Sequence, residues 1–112
     1  MSKPPKRDDT REIKIVHEVR RAAFFKKWAN VVKMMKRGLD ELRAGKLAED
    51  ARNALFFEVN RLAGSLETLG WYREAELAVE IKDKLQPGRA ISSRDLARID
   101  FLVAELERVA NC

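Results

Sequence analysis

Cysteine is almost missing from this chain: Cys112, the last residue, is the only one. A single cysteine closes no intrachain disulfide, so a disulfide scaffold is excluded and a reducing, cytoplasmic setting is expected. Histidine is as scarce, with His17 alone. One histidine and one terminal cysteine leave too little for a hydrolytic triad or a transition-metal site. With no glycine-rich phosphate loop either, neither an enzyme, a metal, a cofactor nor a small-molecule substrate is expected. Three prolines and five glycines give few interruptions, which favours helices. No apolar run approaches the roughly 20 residues that span a bilayer, so membrane insertion is not expected. The opening stretch MSKPPKRDDTREIK has no apolar core of the kind a secretory signal needs. Strand alternation, internal repeats and low-complexity segments are absent too.

What is present is a mixture of apolar and charged residues. The chain has 112 residues, 46% hydrophobic and 37% charged, a balance that suits one small bundle of amphipathic helices with a modest core. The charge is uneven. Residues 1–56 carry 15 Lys/Arg against 8 Asp/Glu (+7) and residues 57–112 carry 8 against 10 (−2), which together make the net +5. The basic half suits an acidic surface: nucleic acid, lipid or an acidic protein. No zinc-finger spacing, helix-turn-helix signature or aromatic-studded sheet sequence supports nucleic acid.

Periodicity organises the rest. Residues 1–9 read as a disordered tail, and 10–112 as one helical domain. Thr10 is a candidate cap for a short leading helix bearing Glu12 and His17. From about 22 to 44, Phe24, Trp28, Val31, Met35, Leu39 and Leu42 recur at three- and four-residue spacing, with Lys26, Lys27, Lys33, Lys36 and Arg37 largely between them. Gly45 is a helix stop. Alone, residues 20–37 would suit a membrane-surface or calmodulin-target helix; in a bundle their apolar stripe is core. The next helix is expected from Leu47 to Leu69, its seam formed by Leu55, Val59, Leu62, Leu66 and Leu69, with Gly70 ending it. A third runs from Trp71 to Leu85, with Trp71, Ala78, Ile81 and Leu85 inward. Pro87 and Gly88 turn the chain, and Ser92 or Ser93 caps a last helix on which Leu96, Ile99, Leu102, Val103, Leu106 and Val109 face the core; Ile91 and Leu96 are placed to staple its start. The expected fold is all-α: an antiparallel up-and-down four-helix bundle with a short extra N-terminal helix.

Within the second long helix, residues 59–70 read VNRLAGSLETLG. This stretch, in this helix order, resembles the signature of the histidine-containing phosphotransfer domains. In that family an acceptor histidine sits midway along the second bundle helix, followed by a pattern matched here by Arg61, Leu62, Ala63, Gly64 and Ser65, with Leu69 and Gly70 closing the helix. The resemblance covers roughly residues 20–110. It implies a module of phosphorelay signalling whose partner is the receiver domain of a response regulator or a hybrid kinase. It also places the docking surface around position 60: Asn60, Gly64, Phe56, Phe57, Arg61, Ala63 and Glu67. Gly64 in a helix interior costs about 0.5–1 kcal/mol relative to Ala, a sign that something approaches closely there, either a receiver domain or a neighbouring helix. Phe56 and Phe57 are adjacent and cannot point the same way. One is expected beside the seam and one near Asn60, as an apolar anchor or as partly buried packing.

The departure is at the acceptor itself. A histidine ring nitrogen has a lone pair able to attack phosphorus. The amide nitrogen of Asn60 has its lone pair delocalised into the carbonyl and forms no stable phosphoramidate. Asn60 therefore hydrogen-bonds an aspartyl phosphate at most. His17, in the leading helix, reads as a surface or packing residue rather than a relocated acceptor. The expected function is a non-phosphorylatable module, monomeric, that binds receiver domains and regulates without phosphoryl transfer. Two alternatives stand beside it. One is an active phosphocarrier bearing an engineered acceptor knockout. The other, of a different class, is a basic helical scaffold for another protein or for nucleic acid.

Overall fold

The computed structural model describes residues 6–111, with side chains from Arg20 onward. The order is α1 (Lys6–Arg43), α2 (Glu49–Thr68), α3 (Tyr72–Leu85) and α4 (Ser93–Ala110); no strand occurs among the described residues. Each helix packs on its neighbour in the chain and α4 packs back on α1, while the backbones of neither diagonal pair approach closely. The result is a four-helix bundle closed in chain order around one core.

That core holds most of the seam the spacing specifies, with Val32, Ala63 and Ala75 added to it. Trp28, Val31, Val32, Met35 and Leu39 from α1 meet Leu55, Val59, Leu62, Ala63 and Leu66 from α2. Ala75, Ala78, Ile81 and Leu85 from α3 and Ile99, Leu102, Val103 and Leu106 from α4 complete it. Phe24, Leu42, Trp71, Leu96 and Val109 are half-buried against it. No polar or charged residue is buried among the described residues, so burial of apolar side chains is the dominant stabilising term.

Two elements differ from expectation. The short leading helix and the first bundle helix are one unbroken α1 of 38 residues. Nothing between Lys6 and Gly38 terminates a helix, since Arg, Glu, Lys and Ala there are good helix formers. The 1–9 tail and the Thr10 cap fall in or beside its first turns, and residues 1–5, with the side chains of Glu12 and His17, lie outside the described residues. At about 1.5 Å per residue α1 is roughly 57 Å long, which accounts for the 69 Å long axis against 25 and 18 Å across.

Leu69 is the second difference. It was expected inward but is 55% exposed, because α2 ends one residue earlier in a Schellman turn. The Gly70 N–H donates to the Glu67 carbonyl and the Trp71 N–H to the Leu66 carbonyl, with Gly70 at φ 87°. That left-handed conformation is open to glycine at no steric cost, and it swings Leu69 off the seam. Gly45 closes α1 the same way, its N–H on the Leu42 carbonyl and that of Lys46 on the Glu41 carbonyl. Beyond α3 the chain is held by Arg52 of α2, whose guanidinium donates to the carbonyls of Leu85, Gln86 and Arg89. The Leu85 carbonyl is one of those that the end of a helix leaves without an intrahelical partner.

Candidate functional site: the outer face of the second helix

Because α2 buries Leu55, Val59, Leu62, Ala63 and Leu66, helical periodicity turns its opposite side outward. Phe57, Asn60, Arg61, Gly64 and Thr68 are all exposed on that side. Asn60, Phe57 and Gly64 thus occupy one surface, spaced as near neighbours along a helix. Phe57 is 61% exposed, while Phe56 is half-buried and packed against the core. Their rings meet edge-on, centroids 5.7 Å apart, so Phe56 braces Phe57 from below.

Gly64 leaves a bare place in this surface. A Cβ built on it would meet nothing within 4 Å, so a close helix–helix contact does not explain it. The glycine that serves such a contact is Gly38 in α1, where an added Cβ would lie 2.7 Å from Leu55 Cδ2. Beside Gly64 a shallow groove of about 580 Å³ runs between α1 and α2, lined by Phe24 and Lys27 on one wall and Arg61, Ser65, Thr68 and Leu69 on the other. Thr68 Oγ1 donates to the Gly64 carbonyl at 2.9 Å, a back-bond available to threonine within a helix.

The flanks carry opposite charge. Lys27 and Arg61 line the groove, and no carboxylate among the described residues does. Arg61 reaches Glu58 at 3.4 Å, an exposed pair that contributes little and leaves the guanidinium available to a partner. Glu67 lies toward α3, in a second groove of about 420 Å³ with Tyr72, Ala75, Glu76, Val79, Glu80 and Asp83. There the Glu80 carboxyl is held below its usual value, chiefly by its hydrogen bond from Arg98.

Of the seven residues expected at the docking surface, Asn60, Gly64, Phe57 and Arg61 come together. Phe56 supports them from the half-buried layer and Glu67 borders them on the acidic side. Ala63 is 5% exposed and part of the core, with almost no surface to offer a partner. The α1 wall, Phe24 and Lys27, was not expected at this place. The lysine pattern of α1 marked a basic rim, but only the packing of α1 on α2 sets which lysine meets Gly64. Among the described residues no three His, Cys, Asp or Glu side chains gather to hold a metal ion. No helix there is long and apolar enough to cross a membrane. No protein-family model matches the chain, and neither a curated protein nor a solved structure does.

Proposed function

We propose that this protein is an up-and-down antiparallel bundle of the histidine-phosphotransfer kind that has no phosphoryl acceptor. It binds receiver domains of response regulators or hybrid kinases, in the cytoplasm and as a monomer, and biases their signalling without taking the phosphoryl group. The observation that supports the reading is Gly64. A mid-helix glycine costs about 0.5–1 kcal/mol relative to Ala, and here no packing within the chain uses it. It lies one helical turn from exposed Asn60 and two from exposed Phe57, which is a surface kept low where a partner's backbone is to come close. Phe57 supplies an apolar anchor, Lys27 and Arg61 meet carboxylates, and Asn60 donates a hydrogen bond where a histidine would have formed a bond to phosphorus.

Calorimetric titration with receiver domains from the same cell tests this. Binding is expected for the chain as it stands and should weaken by roughly tenfold or more in Gly64→Arg, whose side chain fills the bare place. Unchanged affinity in that variant would remove the docking face, and absence of binding to any receiver would remove the function.

A further inference from the structure

A third concavity lies at the end of the bundle where α2 hands over to α3. It encloses about 560 Å³ and is lined by Arg20, Arg21, Phe24, Phe25, Leu69 and Trp71. Phe24 and Leu69 also wall the Gly64 groove, but Asn60, Phe57 and Gly64 take no part in this one. Its size falls in the range of sites that seat a ligand or an anchoring side chain. We propose that this groove is a docking site for a short acidic peptide segment of a protein partner, carrying an apolar anchor residue between its carboxylates.

The charge of the rim selects the acidic occupant. Arg20 and Arg21 are both exposed, and among the described residues no carboxylate lines the groove and neither arginine makes an ion pair. Arg21 is held over the Phe25 ring, 5.6 Å from its centroid. That contact orients a planar donor at the edge of an apolar floor, the geometry in which an arginine grips a carboxylate with two hydrogen bonds. A second copy of this chain does not fit, since two such rims would bring four guanidinium groups together.

The aromatic packing selects a peptide over the other anionic macromolecules. Phe25 stacks on Trp28 with centroids 5.7 Å apart and planes 14° from parallel. Trp71 meets Phe25 and Trp28 edge-on. Ring faces already engaged with each other are not open platforms on which bases stack. A membrane surface is gripped by apolar side chains that protrude, whereas Phe24, Phe25 and Trp71 are half-buried in a concavity and Leu69 alone stands clear. A concave apolar floor with a cationic rim takes one anchor side chain with acids on either side, as interface hot spots do.

Both tryptophans of the chain, Trp28 and Trp71, belong to this cluster, so emission from the intact protein reports occupancy directly. Random peptides displayed on phage would be selected on the full chain, and the enriched peptides synthesised and titrated by tryptophan fluorescence. The expected peptides pair Asp or Glu with Leu, Phe or Trp and shift the emission. Affinity falls by roughly tenfold or more in the doubly substituted Arg20→Glu, Arg21→Glu protein. Leu69→Glu, at an exposed position, should weaken binding as well, with helical circular dichroism unchanged in both variants. No enrichment, or peptides that bind both variants as tightly as the parent, would overturn the proposal. So would arginine-dependent binding of phosphatidylcholine–phosphatidylserine vesicles, or of single-stranded oligodeoxythymidine, that is tighter than that of any selected peptide. Receiver titrations read through Gly64 and peptide titrations read through Arg20 and Arg21 fail separately.

Discussion

Two glycines in the middle of helices divide the labour of this molecule. Gly38 is buried and lets α1 and α2 approach until Leu55 fills the space its side chain would take. Gly64 is exposed, and a side chain added there would meet nothing within 4 Å. Opposite outcomes follow when each is enlarged. Gly64→Ala should stabilise the protein by about 0.5–1 kcal/mol, through helix propensity alone. Gly38→Val should destabilise it by about 1–3 kcal/mol, because a side chain is forced into a packed interface. Urea unfolding of both variants measures this, and equal effects would mean that Gly64 is a packing residue after all. The residue scale is also where the sequence was hardest to read. Asn60, Phe57 and Gly64 could be placed on one face from spacing alone. That Ala63 is sealed in the core could not, because three- and four-residue neighbours of position 60 include the edge of the seam. Nor could the role of Gly38, which depends on how closely a second helix lies.

The helices end where their chemistry tells them to, and α4 shows it best. Ser92 accepts from the Asp95 N–H and the Asp95 carboxylate accepts from the Ser92 N–H, a complete capping box. Ser92→Ala is expected to cost about 1 kcal/mol. The backbone N–H of Ser92 is the leading cause that holds the Asp95 carboxyl below its ordinary 3.8, followed by the Ser92 side chain and Lys84. A carboxyl depressed on folding adds stability that is present above its unfolded value and lost as pH falls through the folded one. Asp95→Ala should therefore melt lower than the parent at neutral pH, and the gap should close as pH drops below 3.8. A gap that stays constant into acid would mean the box is not what Asp95 contributes. Most of this scale was legible: the stops at Gly45 and Gly70 follow from residue type, as does a serine cap on α4, with the choice of Ser92 over Ser93 settled by the capping box to Asp95. The length of α1 was missed for a physical reason. A helix continues until something stops it, and no glycine or proline stands between the expected leading helix, begun at Thr10, and the helix expected from about 22.

At the scale of the whole molecule, closure of the ring is fixed by the core and guided by ion pairs on its outside. Lys36 of α1 reaches Glu107 of α4 at 2.5 Å, and Arg43 pairs with Asp100. Arg98 of α4 grips Glu80 of α3 with two hydrogen bonds, at 2.7 and 3.0 Å. Being exposed, these pairs contribute little energy each; they favour one arrangement of helices over its alternatives. What the assembled bundle offers is an outer α2 face, low at Gly64, cationic on the α1 side and acidic on the α3 side; on the proposed reading, the amide of Asn60 stands there where phosphotransfer chemistry needs an imidazole. The most direct measurement is a phosphoryl-transfer assay with radiolabelled, phosphorylated receiver domains from the same cell, run on the chain as it stands beside Asn60→His. Label on the histidine variant alone is the predicted result, since the surface would then be competent and only the nucleophile missing. Label on neither protein would contradict the account, leaving a bundle kept for another kind of binding. Label on the unaltered chain would contradict it too, by showing that a phosphoryl acceptor exists elsewhere, with His17 the residue to substitute next.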